Sequence, residues 1–278
     1  MTASPSAIPM SRHSNGPRPR LHFQQKPGLV AYLTCGDPDL ATTREIILAA
    51  AAAGADVIEL GVPFSDPVAD GPVIQRASER ALNNGTSLAD VLQLAGDVRQ
   101  NSEVGLVIFS YLNPVLRMGL ERFCEAAAAS GIDGVLLTDM TVEEAGEYRR
   151  CMQAQGLAPV FLAAPTSTDQ RLKQIVQACG GFVYAISRTG VTGTQKQLAS
   201  DARGLVDRIR KYTNLPIAVG FGISNRQQFA EAGKFADAAV VGSAIVETIE
   251  QNPKSAAKAV AELIRSLKAG NGRSTPGA

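Results

Sequence analysis

The run Ile58–Gln75, IELGVPFSDPVADGPVIQ, sets an acid at the end of an apolar strand and follows it with a shaped loop. Asp56–Leu60 reads as a short strand, continuous in apolar character except at Glu59. With a strand's period of two, Glu59 shares a face with Val57, while Ile58 and Leu60 take the other. If Ile58 and Leu60 pack on helices, Glu59 points away from them, into whatever the strand encloses. Beyond it, Pro63 and Pro67 between Gly61 and Gly71 make a turn-rich loop rather than a helix. That loop can arch back and carry Asp70 toward the same space as Glu59. The Asp-Pro and Asp-Gly pairs are also ordinary turn formers, so spacing alone leaves Asp70 open between a turn role and a site role.

Outward from this run the pattern repeats. Short apolar runs fall at Leu29–Thr34, Asp56–Leu60, Gly105–Phe109, Gly134–Thr138, Ala158–Ala163, Gly181–Ile186, Pro216–Val219 and Ala238–Val241, with amphipathic helical sequence between them. Near-continuous apolar strands alternating with helices predict a parallel sheet covered on both faces. Eight such units in about 240 residues predict a single-domain (β/α)8 TIM barrel; an open doubly wound sheet is the competing fold. Ser87 with Asp90, Thr141 with Glu144 and Ser224 with Gln227 have the spacing of helix capping boxes, and Asn252-Pro253 that of a cap followed by a first-turn proline. Short extra helices are expected, including one from Ala244 after the eighth strand. Three echoes close a helix with glycine and open a strand with aspartate: Gly54 with Asp56, Gly131 with Asp133, and Gly233 with Asp237. They sit at the bottom of the barrel, where such residues serve stability. The polar ends, 1–20 and 270–278, are expected to be disordered tails around a catalytic domain of 21–269.

Composition narrows the function. A net charge of +1 offers no basic surface for nucleic acid or an anionic membrane. No apolar stretch is long enough to span a bilayer and the first 20 residues lack a signal-peptide core, so a cytoplasmic chain is expected. The 4 cysteines form no C-x-x-C, and reduced thiols are expected.

Active sites of such barrels lie at the C-terminal ends of the strands. Those ends offer Thr34, Glu59, Ser110, Tyr111, Asp139, Ser187, Arg188, Gly220–Gly222 and Gly242–Ser243. No lysine is among them, which removes Schiff-base chemistry. The only histidines are His13 and His22, so a histidine-ligated zinc site has no ligands, and no metal is expected. Proton transfer falls to carboxylates. Glu59 leads, because an isolated acid inside a barrel is desolvated and its pKa rises toward neutrality. A buried structural glutamate held by a salt bridge is the competing reading. Gly220-Phe-Gly-Ile-Ser and Gly242-Ser243 follow the last two strands, where this fold recurrently binds phosphate with backbone N–H groups and a helix N-terminus. Ser187–Thr194, small and glycine-punctuated, suits a lid.

In these motifs the chain resembles the tryptophan synthase alpha subunit family. Ile58–Gly71 (IELGVPFSDPVADG) carries most of the likeness. Leu33–Pro38 (LTCGDP), Ser187–Gly193 (SRTGVTG), Gly220–Ser224 (GFGIS) and Gly242–Ala244 (GSA) follow the family's order. Cys35, Thr141 and Ser110–Pro114 depart from its usual pattern. The resemblance implies aldol cleavage of indole-3-glycerol phosphate to indole and glyceraldehyde 3-phosphate, within L-tryptophan biosynthesis. It places Glu59 on the proton-transfer glutamate and Asp70 on the aspartate that accepts the indole N–H. Gly193, Gly222, Gly242 and Ser243 fall on phosphate-binding positions, Thr192 on a lid residue and Tyr184 on an aromatic residue near the glutamate. It implies an αββα complex whose beta subunit holds pyridoxal phosphate, with no cofactor in this chain. Other readings are a stand-alone indole-releasing lyase, a barrel that only regulates a beta partner, and a different phosphate-binding barrel enzyme.

Overall fold

The computed structural model describes residues 20–186 and 195–269. Nine parallel strands form one sheet: β1 (Gly28–Thr34), β2 (Val57–Gly61), β3 (Gly105–Ser110), β4 (Gly134–Leu137), β5 (Ala158–Val160), β6 (Leu162–Ala163), β7 (Val183–Ile186), β8 (Ile217–Gly220) and β9 (Ala238–Val241). Their order is β5-β4-β3-β2-β1-β9-β8-β7-β6. The two ends of that order, β5 and β6, are one strand divided at Phe161, so the chain itself closes the ring. The expected continuous strand Ala158–Ala163 is therefore split. Pro159 has no N–H to give the ladder. Phe161 turns outward onto Tyr148, and its carbonyl accepts the Tyr184 N–H at 3.3 Å. This is a (β/α)8 TIM barrel.

Two apolar layers hold it. Leu29, Ile58, Leu60, Leu106 and Ile108 face outward onto the helices. Val30, Val57, Val107, Leu136, Val160, Ala218 and Val240 fill the interior with Leu21 and Phe182. Leu21, fully buried, plugs the lower end; a Cβ on Gly181 would lie 2.7 Å from it. The alternation of strand side chains thus sends Val57 inward and Ile58 outward.

The helices that matter to the upper rim are α2 (Pro72–Asn83), which starts where the Asp70 loop ends, and α10 (Ser243–Gln251), the short helix after β9. The helix α3 (Leu88–Arg99) begins with the capping box of Ser87 and Asp90. The other caps differ from expectation. Helix α9 (Arg226–Ala232) is capped by Asn225, one residue past Ser224, because its carboxamide oxygen accepts the Gln228 N–H at 3.0 Å. Thr141 bonds Glu144 at 2.9 Å, but α6 (Gly146–Ala154) starts later, so that bond closes a turn. Asn252 ends α10, and α11 (Ala256–Lys268) starts after Ser255. Among the described residues no helix is long and apolar enough to cross a membrane.

Candidate active site

Glu59 lies on β2 in register with Tyr32 of β1 and Val107 of β3. Its side chain is fully buried, and neither carboxyl oxygen has a hydrogen-bond partner among the described residues. Burial alone pushes its pKa up to about 8, because an ion removed from water without a compensating partner is disfavoured. The salt-bridged alternative for Glu59 finds no cation among the described residues.

Glu59 opens onto a cavity of about 280 Å³ at the upper end of the barrel. Tyr184, Gly222, Gly242 and Ser243 line the same cavity. Tyr184 comes from β7, and burial raises its hydroxyl pKa well above the usual range, with the Glu59 carboxyl adding to the effect. Gly222 has φ of +77°, a conformation that costs a side-chain-bearing residue strain. Gly242 precedes Ser243, the first residue of α10, and that helix start has no side-chain cap. Gly242, Ser243 and Ala244 all line the cavity, so this uncapped helix start borders it, and backbone N–H groups at such a start suit an anion. Thr192 and Gly193, with the rest of the Ser187–Thr194 loop, lie outside the described residues.

Asp70 is half-buried on the loop between β2 and α2. Tyr111, at the end of β3, donates its hydroxyl to Asp70 Oδ2 at 3.0 Å and accepts the Ala69 N–H at 2.9 Å. Burial raises the Asp70 pKa and the Tyr111 hydrogen bond opposes that rise. The Asp70 charge also raises the hydroxyl pKa of the cavity residues Tyr32 and Tyr184, but Asp70 itself does not line the cavity. Phe64 stacks at 5.0 Å on the Tyr111 ring and fixes the loop from the other side.

Several cavity residues carried no role in the sequence reading. Tyr32, Phe109, Ile74, Val240 and Glu247 line the site. Tyr32 and Phe109 meet edge to face, 5.0 Å between centroids, and form an aromatic wall. Their signal was present: Tyr32 follows Val30 by two residues, and Phe109 follows Val107 by two, so strand alternation places both inside. Ile74 and Glu247 lie on helices, and only the packed structure brings them there.

A closed parallel barrel whose mouth holds an acid unpaired among the described residues, with a helix start free of any side-chain cap on the same cavity, defines a (β/α)8-barrel enzyme. Comparison with known proteins agrees. The family model for the tryptophan synthase alpha chain matches residues 20–272. The tryptophan synthase alpha chain of Solibacter usitatus is 53% identical over 254 residues, covering 91% of this chain and 95% of that one. That of Neisseria meningitidis serogroup B is 46% identical, covering 86% and 92%. Among solved structures, a mutant alpha-subunit from Pyrococcus furiosus superposes with a TM-score of 0.82 at 37% identity, covering 87% and 98%. Tryptophan synthase from M. tuberculosis in an aminoacrylate-bound form superposes with 0.80 at 34%, covering 89% and 94%. The chain belongs to the tryptophan synthase alpha chain family, and it is a lyase that cleaves indole-3-glycerol phosphate.

Proposed function

We propose that Glu59 and Asp70 carry the cleavage of indole-3-glycerol phosphate to indole and glyceraldehyde 3-phosphate. The observation behind this reading is the Glu59 carboxyl: buried, facing the cavity and held by no partner among the described residues. With a pKa near 8 it is neutral at working pH and has a proton to give. Glu59 protonates C3 of the indole ring. The carboxylate so formed takes the proton of the adjoining glycerol hydroxyl as the C–C bond breaks. The bonding electrons return to the ring, the hydroxyl carbon becomes the aldehyde, and Glu59 ends protonated again. Protonation at C3 leaves positive charge on the ring nitrogen, and Asp70 accepts its N–H and offsets that charge.

Gly222, Gly242 and Ser243 hold the phosphate with backbone N–H groups at the start of α10, and Tyr184 packs beside Glu59. By resemblance, Thr192 and Gly193 complete the site. The catalytic domain spans 21–269, and the chain works in the cytoplasm. It carries no cofactor; pyridoxal phosphate belongs to the beta subunit, which is its partner. We place the two in an αββα assembly that receives the released indole.

The test is indole release from indole-3-glycerol phosphate, measured for the chain alone and with a beta subunit. Strong activation by the partner is expected, together with severe loss in Asp70→Asn. Full activity of the chain alone, with no response to a beta subunit, would point to a stand-alone lyase. Unchanged kinetics in Asp70→Asn would reject its assignment.

A further inference from the structure

The charged groups on the upper rim form one connected chain across three elements. Arg80 of α2 grips Asp37, in the loop after β1, with two parallel bonds of 2.8 Å from Nε and Nη2. Its Nη1 donates to Glu250 Oε1 on α10, also at 2.8 Å. Arg76, one turn earlier on α2, holds the same carboxylate from the other side: Nε donates to Oε1 at 2.9 Å and Nη2 to Oε2 at 2.8 Å. Asp37 is buried and Glu250 partly shielded. Beneath this ionic layer Ala77 of α2 and Val246 of α10 pack with Tyr32 of the cavity wall.

We propose that Arg76, Arg80 and Glu250 form a clamp that sets the first turn of α10 against α2, making them positioning residues for the phosphate end of the substrate. The inference rests on the phosphate reading of that turn given above. Glu250 and Ser243 are seven residues apart on one short helix, roughly 10 Å along its axis. A helix this short moves as a unit. No side chain caps its start, so the direction of its free N–H groups is set by what grips the rest of it. On the other side, α2 begins directly after the loop that carries Asp70. The clamp thus fixes the distance between the group that meets the indole nitrogen and the turn that meets the phosphate. Bidentate guanidinium–carboxylate pairs suit this task, since their planar fork restricts orientation as well as distance. The two guanidinium groups hold the Glu250 carboxyl down to about 2, so the clamp is charged at working pH.

Arg76→Ala and Glu250→Gln loosen the clamp without unpairing Asp37, whereas removing Arg80 would strand that buried acid and test folding instead. Binding of glycerol 3-phosphate and of indole is measured by calorimetry, beside kcat and KM for the full substrate. Both variants are expected to weaken glycerol 3-phosphate and raise KM by about 5- to 20-fold, with indole binding and kcat within about threefold of the parent. Arg76→Lys, which restores charge without the fork, should fall between parent and Arg76→Ala. Equal losses for both ligands, or unchanged glycerol 3-phosphate affinity in both variants, would overturn the clamp. Failure of the parent chain to bind glycerol 3-phosphate would instead overturn the phosphate reading.

Discussion

Asp56, just before β2, and Glu59, three residues on within it, are treated by the fold in opposite ways. Asp56, at the lower rim, accepts the Leu29 N–H at 2.8 Å and faces Lys268 Nζ at 3.5 Å. Asp133 does the same work under β4, accepting the Leu106 N–H at 3.0 Å and pairing with Arg99 and Arg20. Asp237 repeats it under β9 with the Ile217 N–H and Arg210. Each lower acid ties a neighbouring strand to a basic side chain. Glu59 ties nothing. A buried polar group without a partner costs about 1–3 kcal/mol, and more when charged. The comparison separates two uses of one functional group. At the bottom a carboxylate is satisfied and holds strands in register. At the top it is left unsatisfied among the described residues, and the protein bears that cost at the cavity where the proposed proton transfer takes place.

The comparison breaks first at Glu59. Glu59→Gln keeps shape and burial but cannot transfer the proton, so turnover should fall by about 10²–10⁴ or more, with substrate binding largely kept. Near-normal turnover in single-turnover indole release would remove Glu59 from the mechanism. The opposite result is expected below. Asp133→Ala removes the carboxylate partner of Arg99 and Arg20 and the acceptor of the Leu106 N–H, leaving Arg99 on backbone carbonyls and Arg20 on Glu103, and should lower unfolding free energy by about 3 kcal/mol while kcat in the folded fraction stays near that of the parent. Denaturant unfolding beside an activity assay checks both. A large kcat loss without destabilisation would erase the distinction between the rims.

A sharper form of the contrast uses pH. The folded Glu59 pKa lies near 8, above the ordinary glutamate value. The unfolded chain therefore ionises first. The stability linked to Glu59 is complete below the unfolded pKa and is lost as pH rises toward 8. Glu59→Gln lacks this loss, so its stability relative to the parent should grow by a few kcal/mol, to order of magnitude, between about pH 5 and 8. Parallel stability curves for the two proteins over that range would show that Glu59 is not desolvated in solution.

How much of this was readable in sequence follows the same division. Strand alternation was enough to turn Glu59 inward, because a two-residue period leaves no other face once Ile58 and Leu60 are buried. The three lower aspartates were visible as a repeat, because each follows a helix-ending glycine, Asp56 and Asp133 two residues on and Asp237 four. What was not readable depends on contacts between distant segments. At the split strand, Pro159 is a local mark of a missing ladder donor, but that its two halves pair with β4 and β7 comes from ring closure, which no local window contains. The cap at Asn225 rather than Ser224 was missed because neighbouring polar residues have equal local propensity, and the bond to Gln228 decides. Arg76, Arg80 and Glu250 read as ordinary solvated helix faces until α2 and α10 are brought side by side.

Asp70 lies between the two regimes: half-buried, with one hydrogen bond from the neutral hydroxyl of Tyr111. It provides the smallest and most specific test of the contrast. Tyr111→Phe removes that bond and also the acceptor of the Ala69 N–H, but the loop stays near water and the loss of stability should remain below about 1 kcal/mol. The effect on chemistry is the informative one. Burial raises the Asp70 pKa and the Tyr111 bond opposes it, so without the bond the pKa rises further. The ionised form proposed to accept the indole N–H is then reached at higher pH. The acid limb of kcat/KM should move upward in pH, with a loss that is largest on the acid side and shrinks as pH is raised. A uniform loss across the whole pH range would mean that Tyr111 only shapes the loop. Asp70 would then belong with the structural acids of the lower rim rather than with Glu59.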